Sequence, residues 1–587
     1  FNGEIFNFVE LRNELLGYGH VFRTHSDTEI IVHAYEQWGE AAFARFNGQF
    51  AIALWHRKQQ QLTLVRDRVG VRPLYFCLHA GRLYFASELK AIFASDPSIS
   101  REFDPAGIDD TFTFWSPIDE RTAFRSIRQL RPGELMTVTA HAVHKRTYWQ
   151  PQFPPSVPMF EGSLDDAAHA VRAALDEATR LRIVRADVPV GCYLSGGIDS
   201  SLIAALGRKH QGATFHTFSL RFADAEYDET PYQRLMAEQL QTTHHEVVVQ
   251  RRDIAAWLPD VVWHAERPLL RTAPAPMFGL AQLVAQTGIK VVLTGEGADE
   301  FFGGYDIFRE GAVRRFWSRH PASPRGPRML EQLYPYLQRS PVAQRALAAQ
   351  FFARNLDQAQ QPGFAHEPRF RATAALKRLF SAQLRDALGD RNANDQLLAT
   401  LPADIAAWAP LAQDQYVEMR TLLAPYLLAA QGDRMMMAHS IEGRFPFLDL
   451  EVMTLANSLP AAYKLNGLRE KAVLKHLAGG LIPDQLIHRA KQPFRAPDAL
   501  AFVQDPPPWL TEELRPEAIA AVGIFDAPTA LALWAKCQRQ NPAIPFSNSD
   551  NMALIGLIST QLLASAFRTM VAKPAAFQTC IELTTTV

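Results

Sequence analysis

Residues 195–201, with the sequence SGGIDSS, combine hydroxyl groups, two glycines and one carboxylate. They follow an apolar run typical of a buried strand, and the residues after them have helical spacing. Such a turn directs backbone N–H groups at the positive end of a helix, where an anion is stabilised. The Gly-Lys-Ser/Thr ending of the Walker motif is absent, which argues against a kinase-like γ-phosphate cradle. The stretch therefore predicts a phosphate site of another nucleotide chemistry.

A second loop, at residues 294–300 (TGEGADE), places carboxylates beside glycines after another apolar run. Carboxylate oxygens are ligands that Mg²⁺ prefers. Asp199 and Asp299 are predicted to flank such an ion, which would neutralise a departing phosphate group. Each acid alone would be an ordinary surface residue, so this metal assignment depends on the two loops lying together.

Both loops belong to a region of alternating strand and helix patterns between residues 188 and 294. Repeated βα units predict a parallel, doubly wound sheet, which binds ligands at the carboxyl ends of its strands. Residues 1–150 instead show short alternating strands and a helix at 27–38, which predicts a mixed α and β domain. From about 306 to 587, helical periods with few strand signals predict a large helical body.

A segment with four prolines between residues 151 and 158 has the stiffness and polarity of a linker. Ser163, with Asp166 three residues later, then forms the pattern of a capping box that opens a helix. We therefore expect a first domain at residues 1–150, a linker at 151–162 and a second domain at 163–587.

Residues 195–201 resemble the pyrophosphate loop of the N-type ATP pyrophosphatases, which split ATP into AMP and pyrophosphate to activate a carboxyl or carbonyl oxygen. Residues 433–449 (DRMMMAHSIEGRFPFLD) and the segment around Lys471 resemble two further segments of the asparagine synthetases. The resemblance implies that Glu296 assists the intermediate and that Lys471 acts as an electrophile. It implies ATP and pyrophosphate contacts at Leu194, Ser195, Gly196, Gly197, Asp199, Ser200, Leu220, Thr294 and Gly295.

Residues 2–7 (NGEIFN), 26–29 (SDTE), 66–75 (RDRVGVRPLY) and 86–90 (ASELK) together resemble a class II glutamine amidotransferase domain. The resemblance implies an Ntn-type α+β sandwich, incomplete at its N-terminal end. Asn2 and the Gly3 N–H would be oxyanion donors. The implied glutamine contacts are Asn2, Gly3, Glu4 and Asp27.

Phe1 departs from this family, whose nucleophile is an N-terminal cysteine. The cysteines at positions 77, 192, 537 and 580 do not lie in a corresponding place. We expect the sequence to be truncated, because a natural start at this point would expose strand edges and core. The alternative is a genuine loss of the glutaminase, as in the related β-lactam synthetases. As written, the chain is not expected to hydrolyse glutamine.

The resemblance implies amidation of aspartate to asparagine through a β-aspartyl adenylate, with ammonia supplied by glutamine in the intact protein. Residues 267–276 lie where acceptor contacts are expected, but their pattern differs from that of the best-known synthetases. One alternative is a related amidotransferase or β-lactam-synthetase-like ligase that acts on another carboxylate. A third interpretation is a non-catalytic ATP-binding module, against which the intact phosphate and carboxylate loops argue.

The composition excludes several classes of partner. Sixty basic residues against 61 acidic residues give a net charge of -1, which offers no field for nucleic acid or an anionic membrane. The four cysteines show no paired spacing and suit a reducing cytoplasm. Four arginines between positions 309 and 319 are expected on a solvated helix face. The expected partners are ATP, Mg²⁺, aspartate and glutamine, and a homodimer is compatible with the resemblance.

Overall fold

The computed structural model describes residues 1–211, 215–334, 345–489, 494–541 and 544–568, so Cys580 lies outside it. The elements of the N-terminal part are β1 (Asn2–Ile5), α1 (Phe8–Gly17), α2 (Asp27–Trp38), β2 (Gly48–His56), β3 (Gln61–Arg66), β4 (Tyr75–His79), β5 (Arg82–Ala86), α3 (Leu89–Ser95), α4 (Pro105–Phe114), β6 (Arg128–Gln129), β7 (Glu134–Val138) and β8 (Val143–Thr147).

Two antiparallel sheets form this N-terminal part, with strand orders β1-β2-β3-β7-β8 and β5-β4-β6. Alternate residues of a strand face opposite sides of its sheet. On β2, Phe50 and Ile52 pack with the α1 and α2 residues Leu11 and Ile30, whereas Ala51 packs with Phe76 of the second sheet. Helices, first sheet and second sheet therefore stack as layers, and the predicted mixed α and β architecture is confirmed.

The remaining elements begin after the proline-rich segment. The elements through residue 302 are α5 (Leu164–Val184), β9 (Val190–Tyr193), α6 (Ile198–Gln211), β10 (His216–Phe222), α7 (Thr230–Leu240), β11 (Thr243–Val249), α8 (Arg251–Ala265), α9 (Pro274–Gln286), β12 (Val291–Leu293) and α10 (Ala298–Phe302). The elements after residue 302 are α11 (Asp306–Ser318), α12 (Arg325–Met329), α13 (Arg345–Phe352), α14 (Glu367–Ala374), α15 (Ala382–Leu388), α16 (Ala393–Ala399), α17 (Pro410–Glu418), a π-helix (Met419–Asp433), α18 (Arg434–Met437), β13 (Glu442–Arg444), α19 (Leu450–Ser458), α20 (Ala461–Lys464), β14 (Leu465–Asn466), β15 (Arg469–Glu470), α21 (Ala472–Leu477), α22 (Asp484–Ile487), α23 (Leu500–Val503), α24 (Pro508–Glu513), α25 (Pro516–Val522), α26 (Ala527–Arg539) and α27 (Asn548–Arg568). Among the described helices, none is both long and apolar enough to cross a bilayer.

A five-stranded parallel sheet lies at the centre of this second part, with the order β11-β10-β9-β12-β13. The chain builds outward from β9 to β11 and then returns to the other side of β9 to form β12. The loops that follow β9 and β12 consequently lie side by side at the switch point, where doubly wound sheets bind ligands. The predicted doubly wound sheet is confirmed.

Strand β13, which lies within residues 433–449, was not predicted from the sequence. The three residues of β13 are Glu, Gly and Arg, which carry no apolar run and no strand pattern. The strand forms because its backbone pairs in parallel with β12, with Val292 opposite Gly443. Position in the fold, not local preference, makes these residues a strand.

Helix α5 begins where the sequence predicted. The Ser163 hydroxyl accepts a hydrogen bond from the Asp166 N–H (3.2 Å), and the Asp166 carboxylate accepts one from the Ser163 N–H (2.9 Å). Two backbone donors at the helix start are thereby satisfied by side chains. The buried face of α5, which includes Val171 and Leu175, packs on the parallel-sheet layer.

The prediction of a solvated arginine face on α11 is wrong. Arg314 is fully buried and donates to the carbonyl oxygens of Phe352 and Phe364. Arg315 forms two hydrogen bonds, of 2.6 and 2.8 Å, with the Asp414 carboxylate. The partners come from segments 38 to 99 residues away along the chain, and no local charge pattern indicates such partners.

A line of ion pairs joins the N-terminal sheets to the parallel sheet. Arg72 is buried and pairs with Asp433, the last residue of the π-helix, and its guanidinium lies 3.8 Å from Glu442 of β13. On the same strand, Arg444 contacts Glu442 at 2.6 Å and Glu4 of β1 at 3.0 Å. Charges taken out of water are tolerated when they are paired in this way. These pairs therefore fix β13 against β1.

Replacing Asp433 with alanine should destabilise the protein by about 3–5 kcal/mol, because Arg72 would remain buried without its closest carboxylate. The measurement is the shift of the urea unfolding transition. A matched control is Glu177→Ala, which removes an exposed ion pair with Arg180 within α5 and should cost less than about 0.5 kcal/mol. Equal shifts for the two variants would contradict this account of the junction.

Candidate active site

The phosphate loop follows β9 and is organised around the Ser200 hydroxyl. The Ser195 N–H donates to Ser200 Oγ (3.1 Å), and the two serine hydroxyl oxygens lie 2.9 Å apart. The Gly197 N–H in turn donates to Ser195 Oγ (3.3 Å). Ser195 is exposed at the N-terminal end of the 14-residue helix α6. Hydroxyls and a positive helix end thus face the same opening, which suits a phosphate group.

Two glycines allow neighbouring segments to pack closely against the phosphate loop. Gly196 has φ +75°, and a Cβ atom there would lie 2.8 Å from Tyr232 Cβ. Gly295, in the loop after β12, would place a Cβ 3.1 Å from the Ser200 nitrogen. The second loop therefore packs directly on the start of α6, as the prediction of a shared site requires.

Lys471 reaches this place from a distant part of the sequence. Its ammonium nitrogen lies 2.6 Å from Asp199 Oδ2 and 2.6 Å from Asp299 Oδ1. The lysine side chain is 1% exposed, whereas the aspartates are 13% and 14% exposed. The structure thus brings both predicted metal ligands together, with an ammonium between them. Their oxygens are the donors that Mg²⁺ prefers, so the residues present also fit a magnesium ion.

Gly304 leaves the room that the Lys471 side chain occupies. A Cβ at this position would lie 2.1 Å from both Asp299 Oδ1 and Lys471 Cε. Its N–H also donates to the Asp299 carbonyl oxygen (2.8 Å). The sequence analysis assigned no role to Gly304, because only the meeting of two distant segments makes a side chain impossible there.

Two further glutamates lie next to these aspartates, and burial favours their neutral forms. Burial raises the pKa of Glu296, and the charges of Asp199 and Asp299 raise it further. Burial, with the charge of Asp299, raises the pKa of Glu300 to about 8, and its carboxylate accepts a hydrogen bond from the Tyr305 hydroxyl (2.8 Å). Both shifts show that this place disfavours further negative charge.

Arg489 lies beside the phosphate loop and was missed by the sequence analysis. Its guanidinium donates to the Gly196 carbonyl oxygen (3.1 Å), pairs with Glu229 and stacks over the Tyr232 ring at 4.1 Å. A single arginine outside the quoted motifs gives no periodic or compositional signal. It supplies a second cation at the edge of the loop.

The residues predicted for the nucleotide lie at the ends of three neighbouring strands. Leu194 follows β9 and is buried, and its N–H donates to the Phe218 carbonyl oxygen (2.8 Å). Leu220, on β10, is also buried, and Thr294 follows β12. The strands are adjacent in the sheet, so these residues share the edge that carries the phosphate loop.

The residues predicted for glutamine cluster on and beside β1. The Asn2 carboxamide donates to the Ser87 hydroxyl (3.2 Å), and the Asp27 carboxylate accepts from the Ile5 N–H (3.0 Å). A Cβ on Gly3 would lie 1.9 Å from the Gln49 carbonyl oxygen, so β1 and β2 can pair only with glycine there. Burial raises the pKa of Glu4 to about 7, although Arg444 opposes this shift.

The family model for asparagine synthase matches residues 170–563. The chain belongs to the asparagine synthase family. The model for a glutamine amidotransferase domain matches residues 1–149. The predicted family is confirmed, and with it the enzyme class, a ligase.

Three relatives are 27–33% identical to this chain over the aligned residues. A putative glutamine-hydrolysing asparagine synthetase of Mycobacterium bovis is 33% identical over 506 residues, covering 85% of this chain and 74% of the relative. Asparagine synthetase 1 of Bacillus subtilis is 29% identical over 499 residues, covering 85% and 75%. Amidase chry2 of Gibberella zeae is 27% identical over 525 residues, covering 84% and 76%.

The substitution Gly304→Ala should lower pyrophosphate release from ATP about 100-fold, because displacement of a reacting group by about 1 Å has an effect of this size. The added methyl group would push Lys471 or Asp299 aside. Gly17→Ala is the control, since nothing lies within 4 Å of a Cβ at that position. Unchanged turnover in Gly304→Ala would show that the placement of Lys471 does not matter.

Glu300→Gln should flatten the dependence of stability on pH. The folded protein keeps Glu300 protonated up to about pH 8, whereas the unfolded chain ionises it near pH 4.5. The contribution of Glu300 to the free energy of unfolding is therefore lost as the pH rises from about 4.5 to about 8, by up to about 1.4 kcal/mol per pH unit. Thermal midpoints of both proteins at pH 6 and pH 8 measure the difference. Parallel pH profiles would contradict the raised pKa.

Proposed function

We propose that the chain converts aspartate to asparagine with ATP, through a β-aspartyl-AMP intermediate, with ammonia from glutamine hydrolysis in the intact protein. One observation carries this proposal: the Lys471 ammonium lies between Asp199 and Asp299, beside a loop built to receive phosphate. Membership of the asparagine synthase family supports the overall reaction.

The first step forms the adenylate. An oxygen of the aspartate side-chain carboxylate attacks the α-phosphorus of ATP, and the bond from this phosphorus to the pyrophosphate oxygen breaks. Negative charge then develops on the α-phosphate and on the leaving group. Lys471 would stabilise the negative charge on the α-phosphate. The pyrophosphate leaving group would be bound by the Ser195 and Ser200 hydroxyls, the backbone at Gly196 and Gly197, and the N-terminal end of α6.

Asp199 and Asp299 would hold Mg²⁺, because two carboxylates that converge on one cation offer the hard oxygen donors this ion requires. When bound, the ion would neutralise charge on the pyrophosphate. Thr294 and Gly295 would touch the nucleotide, with Leu194 and Leu220 on the adenine side.

The second step forms the amide bond. Ammonia attacks the acyl carbon of the adenylate, AMP leaves with the former carboxylate oxygen, and the nitrogen loses a proton. Glu296 would assist here, since burial and its neighbouring carboxylates raise its pKa and make it a better proton acceptor than an ordinary glutamate.

Glutamine would bind around β1 through Asn2, Gly3, Glu4 and Asp27. We assign this role to a domain at residues 1–150, followed by a linker at 151–162 and a synthetase domain at 163–587. The family matches at 1–149 and 170–563 support this division. The contact between Glu4 and Arg444 would link the glutamine side to β13, next to the strand that carries the second loop.

A second candidate is amidation of a carboxylate other than that of aspartate. Arg267 and Arg271 lie in the segment where acceptor contacts were expected, but both are engaged within the protein. Arg267 donates to the Ser116 hydroxyl (2.8 Å), and Arg271 pairs with Asp498 (2.8 Å).

Purified protein given ATP, Mg²⁺ and ammonium chloride should release pyrophosphate when aspartate is added, and Lys471→Met should lower this rate about 10²- to 10³-fold. Lys209→Met is the control, because that lysine is an exposed residue on α6. Ammonium replaces glutamine so that only the synthetase reaction is measured.

The acceptor is tested by comparing aspartate with other carboxylic acids under the same conditions. Pyrophosphate release with another acid, and none with aspartate, would replace the main proposal with the second candidate. Nucleotide binding without pyrophosphate release for any acid would indicate the non-catalytic module.

A further inference from the structure

Two histidines and one glutamate meet where the segment after α1 lies against the second half of α2, outside the groups used for ATP and glutamine. His20 Nδ1 lies 3.2 Å from His33 Nδ1. Glu36 Oε2 lies 3.4 Å from His33 Nδ1 and 3.8 Å from His20 Nδ1. His33 and Glu36 are one turn apart on α2, and His20 approaches from the preceding segment. Three potential metal ligands thus form a small triangle.

The size of this triangle matches metal coordination. From the three separations, a point about 2.0 Å from all three atoms lies within the triangle, and bonds from Zn²⁺ to histidine nitrogen or carboxylate oxygen have about this length. An ion could therefore bind without movement of the backbone. Glu36 is 60% exposed, so water can reach a fourth coordination position.

The outer nitrogens of both rings lie near oxygen atoms that can accept a hydrogen bond. His20 Nε2 is 3.0 Å from the Gln37 carboxamide oxygen, and His33 Nε2 is 3.5 Å from Glu29 Oε1. Glu29 accepts hydrogen bonds from the Thr24 hydroxyl and from the backbone N–H groups of Arg23 and Thr24, which hold its carboxylate beside His33. In the tautomer that donates from Nε2 to these oxygens, each ring keeps an Nδ1 lone pair available to a metal ion.

That arrangement calls for a cation. Two lone pairs and a carboxylate oxygen repel one another at these distances unless a proton or a metal ion lies between them. Histidines that bind metal usually donate their other ring N–H to a carboxylate or carbonyl oxygen, as Glu29 and Gln37 allow here. The nitrogen ligands favour Zn²⁺ over Mg²⁺, which prefers oxygen.

We propose that His20, His33 and Glu36 bind a Zn²⁺ ion, with water as the fourth ligand. The ion would clamp the segment between α1 and α2 to the helix that begins at Asp27, one of the residues proposed for glutamine. Its role is to hold that segment in place, and it takes no part in the proposed reaction.

The test uses full-length protein freed of metal with a chelator and titrated with Zn²⁺ in excess Mg²⁺, which occupies the carboxylate sites. Wild type should bind one Zn²⁺ equivalent that His33→Ala loses and that Glu36→Gln binds at least tenfold more weakly. His25→Ala is the matched control, since this histidine is exposed in the same segment and outside the triangle. Circular dichroism checks that each variant is folded.

A second readout is trypsin cleavage after the exposed Arg23. Zn²⁺ should slow this cleavage several-fold in wild type and in His25→Ala, and should leave the rate unchanged in His33→Ala and Glu36→Gln. Equal Zn²⁺ binding by all four proteins would overturn the proposal. So would a wild type that binds no Zn²⁺, which would mean that a proton alone joins the two histidines.

Discussion

The placement of one ammonium group between two carboxylates is the constraint on which the candidate active site depends. Lys471 is buried, and a buried charge is tolerated only when it is paired. Its partners, Asp199 and Asp299, belong to different loops, so the lysine joins three segments that are far apart in sequence. Gly304 lacks a side chain because that space is taken by this contact. The chemistry therefore depends on tertiary packing more than on any single motif.

The sheet topology makes this contact available. Because β9 and β12 are neighbours, the loops after them share one edge, and the side chains they carry converge. β13 extends the same sheet toward the N-terminal part, where Arg444 meets Glu4 and Arg72 meets Asp433. Strand β13 pairs with β12, which leads into the second loop, and it also contacts Glu4, one of the residues proposed to bind glutamine. A shift of β13 would therefore displace residues at both the β12 loop and the β1 strand.

Local sequence patterns were sufficient for strands β9 and β12 before the two loops, for helix α5 and for the position of the phosphate loop, because apolar runs, glycines and a capping box are local signals. Lys471 was found through family resemblance alone. The sequence did not predict β13, Arg489 or the burial of Arg314, since their partners lie far away along the chain. Residues defined by distant partners carry no periodic signal.

Charge balance explains why the site needs more than its lysine. ATP is a polyanion, yet the residues around the Lys471 ammonium include Asp199, Asp299 and Glu296. One ammonium cannot offset these acids and the triphosphate together. Arg489 and the N-terminal end of α6 contribute positive charge only at the loop. The remaining charge on the nucleotide has to be met by a cation that arrives with it, and this is the physical reason for expecting ATP to bind here as its magnesium complex.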